Sequence, residues 1–134
     1  MYVELKYAGI PFLGMVAVHY WFVTADAHKR DRWEVWQRMN AGGLSAGYLH
    51  RNLMHPDSNV GGGPTHLAHV WTDALAQQIT LALHESWDQY PYLYRYQVMP
   101  GPNSNTFVAW ILHRAGVEYR LSRRAIGKNF VLRK

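Results

Sequence analysis

The sequence predicts an α+β fold built on one mainly antiparallel sheet with two principal helices. Apolar residues alternate with a period of two in the first half of the chain and recur at helical spacing in two later segments. The predicted order of strands, helix, strand, helix and short strands is typical of the α+β class. The chain has 134 residues, 49% of them apolar, and shows neither an internal repeat nor a linker. It has room for one hydrophobic core, so residues 1–134 are predicted to form a single domain.

The first half of the chain predicts three strands. Residues 14–24 are dominated by β-branched and aromatic side chains, which is typical of a central strand, and His19 shares a face with Trp21 there. Residues 32–38 alternate in polarity after a short polar stretch. These two segments are predicted to form an antiparallel hairpin. Residues 48–53, which follow glycine breaks, are predicted to add a third strand.

The second half of the chain predicts two helices among shorter strands. Residues 65–71 suit a short strand, and Thr72 is a suitable N-cap for the helix after it. Residues 90–98 place tyrosines at every second position, which predicts another strand. A second helix carries an apolar stripe and stops at Gly116. The tail, residues 117–132, is predicted to contain a further short strand with a turn at Gly127.

Charge and cysteine usage narrow the classes of function. The formal net charge is +5, and half of the 14 basic residues lie in the last 21 positions. A basic tail of this kind can meet phosphate or an anionic membrane surface, although it is more often a solvated face. Cysteine is absent, which excludes a disulfide framework, a thiolate metal site and a cysteine nucleophile.

The apolar segment at residues 8–23 raises the question of targeting. It is too short to span a membrane and contains Pro11. It precedes Ala-Asp-Ala at residues 25–27, which has the shape of a signal-peptidase site, but Glu4 balances Lys6 and the required positive start is missing. We therefore expect a buried strand in a cytoplasmic protein without a transmembrane segment, with secretion as the alternative.

The most informative stretch is PGPNSNTFVAW, residues 100–110, where four small polar residues crowd onto a helix start. Asn103, Ser104, Asn105 and Thr106 are all good caps, because their side-chain oxygens accept from backbone N–H groups without helical partners. One cap is enough, however. A hydroxyl among the others lies beside free N–H donors and the positive end of the helix dipole, which suits a developing oxyanion.

A serine nucleophile also needs a base and a group that orients the base. Ser104 is the candidate nucleophile, and His19 is the candidate base because a strand would hold it in place. Gln37 and His50 are the candidates for the orienting group. The alternative is a capping serine with an unrelated histidine in the core.

Two resemblances bear on this pattern. PGPNSNTFVAW, with Ala-Ile-Gly-Lys at residues 125–128 and His-Tyr-Trp-Phe at residues 19–22, resembles an uncharacterised bacterial family known only as a domain of unknown function (number 3750). The resemblance covers nearly the whole chain, and residues 101–107 are its most specific part. The family implies no established activity.

More distantly, the chain is similar to circularly permuted papain-like folds of the NlpC type and to lecithin-retinol acyltransferases. In those folds a strand histidine comes first, and a cysteine follows later at a helix start, often after an asparagine. The resemblance makes Ser104 the nucleophile, His19 the base, and Gln37 or His50 the third polar residue. Residues predicted to contact the substrate are Asn103, Asn105, Thr106 and Trp21.

The serine is a departure from that pattern, because a hydroxyl must lose its proton as it attacks, whereas a thiol ionises readily. The expected activity is that of a hydrolase or acyltransferase acting on amide or ester bonds of a small molecule, lipid or peptide. The alternative is an inactive scaffold that binds a ligand or partner in the same cleft. We expect no cofactor.

Three other sequence patterns give weaker evidence of function. The HxxH spacing of His66 and His69 would point to opposite faces of a strand, so we expect no metal site. Three glycines at residues 61–63 lack the Lys-Ser or Lys-Thr of a phosphate loop. The tyrosines of residues 90–96 and the basic tail could serve a single-stranded nucleic acid, but half-buried core tyrosines are the commoner case. A nucleic-acid partner is therefore not expected.

Overall fold

The computed structural model describes residues 1–130 and confirms the α+β fold. Six strands form one sheet in the order β4-β5-β3-β2-β1-β6, and each pairing is antiparallel. The strands are β1 (Tyr2–Gly9), β2 (Val18–Ala25), β3 (Arg30–Val35), β4 (Leu44–Ala46), β5 (Leu49–Arg51) and β6 (His66–Thr72). The helices are α1 (Asp73–Gln89) and α2 (Ser104–Ala115).

The predicted hairpin between the first two apolar segments is confirmed as β2 and β3, with Phe22 opposite Trp33. The central strand begins four residues later than predicted, at Val18, because residues 10–17 form a turn that leads out of β1. Sequence analysis missed β1, which pairs with β2 along its whole length. The predicted third strand is confirmed as β5, and the short β4 pairs with it.

Both helices pack on one face of the sheet and close the main core. Every second residue of β2 faces them, and the fully buried side chains on the two sides interlock. These side chains include Val18, Phe22, Trp33, Leu49, Ile79, Leu83, Phe107 and Ile111. Each contributes roughly 1.5–3 kcal/mol relative to an exposed position, and together they fix helix α2 against strands β2 and β3.

The helix ends agree with the predicted caps. Thr72 is the N-cap of α1, although its side chain makes no capping hydrogen bond. Helix α2 ends at Gly116, whose φ of 70° lies in the left-handed region that glycine tolerates. Within residues 1–130, no helix is long and apolar enough to cross a membrane.

The opposite face of the sheet combines charged side chains with a small apolar cluster of Ala8, Trp21 and Val23, and residues 52–63 cover it. Arg32 donates to the carbonyl oxygen of Ser58 at 2.7 Å, and the indole N–H of Trp21 donates to the carbonyl oxygen of Pro56 at 2.9 Å. This covering segment contains neither a helix nor a strand. It keeps the side chains beneath it out of water.

Ion pairs tie the covering loop to the sheet. Asp57 accepts from Arg30 at 2.7 and 2.8 Å and lies 3.2 Å from the Lys6 ammonium group. The hydrogen bond from Arg30 is the main reason why the pKa of Asp57 lies well below its usual range. Arg30 also donates to Glu4 of β1 at 2.6 Å, so the loop, β1 and β3 share one charged cluster.

Glycines let the covering loop approach the β1–β2 turn closely. A Cβ built on Gly9 or on Gly14 would lie 2.6 Å from the carbonyl oxygen of Gly62. A Cβ on Gly62 would in turn overlap the backbone of Gly9 and Ile10. The turn at residues 10–17 is therefore packed backbone to backbone against the loop.

The strand predicted at residues 90–98 is wrong. The backbone turns directly after α1, where the N–H of Tyr90 donates to the carbonyl oxygen of Ser86. The ring of Tyr90 packs edge-on against Phe107 at 5.1 Å, whereas Tyr94 is exposed. The tyrosine spacing thus reflects packing around the end of a helix, and the stacking platform considered for a nucleic acid is not formed.

The strand predicted in the tail is also wrong for residues 117–130, which are irregular; residues 131 and 132 lie outside the described part. The turn at Gly127 is confirmed. The tail adds one backbone bond to the edge of β2, from the N–H of Val18 to the carbonyl oxygen of Arg124 at 2.9 Å.

Candidate functional site

The start of α2 is attached to β2 by a side chain that replaces a strand. Asn105 accepts from the N–H of Tyr20 at 3.0 Å and donates to the carbonyl oxygen of Val18 at 2.8 Å. These two backbone groups flank His19 and lie on the same edge of β2, where the ladder to β3 has already ended. The amide of Asn105 also donates to the carbonyl oxygen of Ile126 at 3.0 Å. The helix start, β2 and the tail therefore meet beside His19.

A capping box organises the first turn of α2 around Asn103 and Thr106. The side-chain oxygen of Asn103 accepts from the N–H groups of Asn105 and Thr106, and the hydroxyl of Thr106 accepts from the N–H of Asn103 at 3.1 Å. The hydroxyl of Thr106 donates to the carbonyl oxygen of Gly127 at 2.7 Å. Within residues 1–130 the N–H and the hydroxyl of Ser104 have no hydrogen-bond partner.

His19 is held on three sides. Its Nε2 lies 2.7 Å from Oε1 of Glu34, its ring stacks on Trp21 with centroids 5.6 Å apart, and Trp36 meets it edge-on at 5.3 Å. Because a carboxylate can only accept, Nε2 carries the hydrogen of this bond, and in the neutral ring Nδ1 keeps a free lone pair. Nδ1 is therefore the nitrogen that can act as a base.

Glu34 is in turn held by Arg32, and both side chains are fully buried. Nε of Arg32 lies 2.6 Å from Oε2 of Glu34, and Nη2 lies 3.0 Å from Oε1. The guanidinium carbon also lies 3.9 Å above the ring of Trp21. The row Arg32–Glu34–His19 thus pairs a buried carboxylate with one cation and one imidazole, which fixes the imidazole in orientation.

The pKa of Glu34 reflects this arrangement. Burial raises it, but the hydrogen bond and charge of His19, together with those of Arg32, outweigh burial and leave the pKa below its usual value of 4.5. Glu34 is therefore a carboxylate at neutral pH, which is the state needed to stabilise a protonated His19.

Ser104 and His19 line one cavity of about 100 Å³. The space would hold on the order of three water molecules, so it fits a reacting group rather than a whole substrate. Gln37 also lines the cavity and is exposed at its rim. The full lining is Ile10, Pro11, His19, Trp36, Gln37, Val60, Tyr96 and Ser104.

Comparison with known proteins gives a family without an assigned activity. The model of the family described as "Protein of unknown function (DUF3750)" matches residues 1–130. The chain belongs to this family. No curated protein and no solved structure matches the chain.

Of the residues predicted for the site, the structure brings Ser104, His19 and Gln37 to the cavity. No hydrogen bond within residues 1–130 joins the hydroxyl of Ser104 to His19, although both face the same space. The group that orients His19 is neither Gln37 nor His50, because Glu34 occupies Nε2.

His50 lies on β5 directly opposite Glu34. Its Nε2 accepts from the N–H of Ala41 at 3.0 Å, and it does not line the cavity. Burial is the main cause that lowers the pKa of His50 below its usual value, so its ring is neutral. Its role is to hold the segment before β4.

The residues predicted to contact substrate lie in supporting positions instead. Asn103, Asn105 and Thr106 are almost fully buried and use their side chains on the backbone, as described above. Trp21 is fully buried between Arg32 and His19. None of the four lines the cavity.

Glu34 and Arg32 were not predicted from the sequence, although a signal for Glu34 is present. The alternation of residues 32–38 puts Glu34 and Trp36 on the same face of the second strand of the hairpin. A four-residue turn at residues 26–29 then places Glu34 diagonally across from His19 on that face. Counting the register outward from the turn would have found the pair.

Two other features of residues 1–130 lack a serine–histidine arrangement of this kind. His66 and His69 lie on β6 and pack against aromatic rings, and within residues 1–130 no cluster suited to a metal ion occurs. A wider groove of about 660 Å³ runs between α2 and the tail. It contains His113 and Glu118 but no serine or threonine among its lining residues.

Proposed function

We propose that this protein cleaves or transfers an acyl group at an amide or ester bond, with Ser104 as the nucleophile and His19 as the base. The observation that carries the proposal is that Ser104, at the first position of a helix, shares a cavity with a histidine whose Nε2 is bound by a buried carboxylate. The order of a strand histidine before a helix-start nucleophile also agrees with the permuted papain-like, NlpC-type resemblance.

In the proposed reaction, Oγ of Ser104 attacks the carbonyl carbon of the substrate while its proton passes to Nδ1 of His19. The imidazolium that forms is stabilised by Glu34, whose own charge is balanced by Arg32. When the tetrahedral intermediate collapses, His19 returns the proton to the leaving nitrogen or oxygen, and an acyl-serine remains. Water, or another acceptor in a transfer reaction, then releases the acyl group through the same base.

The oxyanion would meet the N–H of Ser104 and the positive end of α2. This N–H is the first-turn donor that the capping box leaves free, because Asn103 takes those of Asn105 and Thr106. We assign the exposed amide of Gln37, at the rim of the cavity, to a second donor for the substrate. It was predicted as the orienting group, and its place in the cavity supports this different role.

The serine and histidine are not hydrogen-bonded in this structure, and a catalytic cycle requires them to approach. Such bonds are often long in enzymes without substrate and tighten in the complex. Asn105 holds the backbone of the helix start against Val18 and Tyr20, so we propose that the approach is made by the Ser104 side chain rather than by the helix.

The test is covalent labelling with a fluorophosphonate, followed by mapping of the modified residue. We expect modification of Ser104 in the wild-type chain and none in Ser104→Ala. His19→Gln should label far more slowly while remaining folded, because glutamine can still donate to Glu34. Ser122→Ala is the matched control, since that serine does not line the cavity, and it should label like the wild type. If His19→Gln were labelled as fast as the wild type, Ser104 would be a reactive serine that does not depend on His19 as its base.

The second candidate is a scaffold that binds a ligand or partner in the same cleft without chemistry. The missing hydrogen bond between Ser104 and His19 and the absence of cysteine favour it. In that case Ser104→Ala would leave ligand binding unchanged, and no amide or ester in a panel would be turned over. Binding without turnover would therefore select the scaffold over the enzyme.

A further inference from the structure

The turn between β1 and β2 presents apolar side chains to solvent beside the candidate site. Phe12 is fully exposed at 105%, Met15 at 91%, Val16 at 62% and Leu13 at 48%. The four side chains come from five consecutive positions and share one protruding tip. A soluble domain rarely leaves such a contiguous apolar tip without a use.

The backbone of this tip keeps Phe12 outward at a cost. Its φ of 67° lies in the left-handed region, which a bulky side chain rarely adopts. The turn is otherwise well ordered, since the N–H of Val16 donates to the carbonyl oxygen of Leu13 at 2.9 Å. It is also packed against Gly62 through Gly9 and Gly14. A rigid turn with a strained, outward aromatic ring is suited to insertion into an apolar phase.

Positive charge adjoins the tip. Arg124 donates to the carbonyl oxygen of Gly14 at 3.0 Å, and the neighbouring Arg123 is exposed. Neither forms an ion pair within residues 1–130, and residues 10–17 contain no acidic side chain. An apolar tip flanked by guanidinium groups that have no acidic partner among residues 1–130 is complementary to an anionic lipid surface, whose headgroups carry the opposite charge above an apolar layer.

The stem of the same turn forms part of the cavity wall. Ile10 and Pro11 line the cavity together with Ser104. A tip that enters a lipid layer would therefore bring the cavity to the interface. The cavity admits only the reacting group, so the remaining part of a long substrate has to lie outside, where the apolar tip would be.

We propose that residues 11–16 insert into an anionic lipid surface and that the substrate of Ser104 is an acyl ester or amide presented by that surface. The second half of this statement rests on the proposed function, whereas the first half does not. Lipid insertion depends on the turn and the adjoining arginines, and acyl transfer depends on Ser104, His19 and Glu34.

The first experiment is cosedimentation of the full chain with vesicles of equimolar phosphatidylcholine and phosphatidylglycerol. Phe12→Gly combined with Met15→Ser should weaken partitioning about tenfold or more, because two apolar side chains no longer enter the lipid. Glycine suits the φ of position 12, so this variant should fold. Leu81→Ser, which removes a side chain of α1 that is 60% exposed, is the matched control and should partition like the wild type.

A reporter at the tip gives a second, independent reading. The chain has no cysteine, so Val16→Cys offers a single thiol for an environment-sensitive fluorophore. We expect the emission of the fluorophore to shift to the blue when the anionic vesicles are added. The shift should be smaller at high salt and with vesicles of phosphatidylcholine alone, and the same probe at Leu81→Cys should show no shift. An unchanged probe at position 16, or equal shifts at both positions, would overturn insertion of this turn. Concentration-dependent dimerisation through the tip in the absence of lipid would also overturn it.

The substrate half is tested by labelling Ser104 with two fluorophosphonates, one with a long alkyl chain and one with a polar chain. Anionic vesicles should speed labelling by the alkyl probe only, and Phe12→Gly with Met15→Ser should remove the gain. Equal labelling by the two probes on vesicles would refute a lipid-borne substrate and leave the serine chemistry standing. Ser104→Ala should bind vesicles like the wild type, so a failure of catalysis is distinguishable from a failure of docking.

Discussion

Replacing Asn105 with alanine should destabilise the whole domain, because one side chain substitutes for a missing strand at the edge of β2. The change removes hydrogen bonds to the N–H of Tyr20 and to the carbonyl oxygens of Val18 and Ile126. Two of these bonds are buried and one is partly buried. A buried partner left unpaired costs about 1–3 kcal/mol, and a partly exposed bond contributes about 0.5–1 kcal/mol. The expected loss in free energy of unfolding is therefore about 4 kcal/mol.

The assay is urea unfolding followed by tryptophan fluorescence. Asn105→Asp separates size from hydrogen bonding, because it keeps the acceptor for Tyr20 but puts an oxygen where two carbonyl groups expect a donor. It should be at least as damaging as Asn105→Ala. Asn129→Ala, at an exposed position of the tail, should change stability by less than about 0.5 kcal/mol. A loss below about 1 kcal/mol for Asn105→Ala would refute the strand-replacement argument.

The remaining predictions concern the charged row, pH and the loop contact. Glu34→Gln should lower the free energy of unfolding by about 3 kcal/mol in urea, because the buried Arg32 loses its counter-charge. It should also lower kcat/KM on any ester substrate by about 100-fold or more. An unchanged activity would show that Glu34 has no part in the mechanism. The free energy of unfolding should fall as the pH drops below about 6.5, the usual pKa of histidine, because the buried neutral His50 must take up a proton; at lower pH, Glu34 must also lose its charge. His50→Gln should flatten the upper part of this pH curve in urea titrations. An unchanged curve would contradict a neutral, buried His50. Gly62→Ala should cost about 1–3 kcal/mol in the same titrations, since its Cβ overlaps the backbone of Ile10, and a neutral effect would show that the loop packs less closely than the structure indicates.

The sequence was sufficient to predict the α+β class, the central hairpin and both helices, because each has a local period or cap. His19 and Ser104 were expected in one cleft from chemistry and a distant resemblance rather than from any local pattern, and both line the same cavity. Their roles as base and nucleophile stay a prediction. The structure adds the physical link, since Asn105 attaches the helix start to the strand on both sides of His19.

What sequence analysis missed depends on register and on burial of charge. Glu34 looked like an ordinary exposed residue of an alternating strand, because nothing local shows that residues 52–63 cover that face. The strand predicted at residues 90–98 was wrong for a different reason. The tyrosines do recur at every second position, but Tyr90 and Tyr92 pack against each other at the end of a helix instead of forming a strand. Side-chain patterns alone do not distinguish a pleat from such a packing cluster.

The attachment of Asn105 to β2 also makes the Tyr20 amide a probe of the contact between α2 and the sheet. The amide N–H of Tyr20 is hydrogen-bonded to Asn105, a residue 85 positions away, rather than to a neighbouring strand. Its exchange with deuterated solvent should therefore accelerate whenever the front of α2 lifts, even while the rest of the sheet stays protected. The exchange rate of this single amide would therefore report how often the contact between α2 and β2 opens.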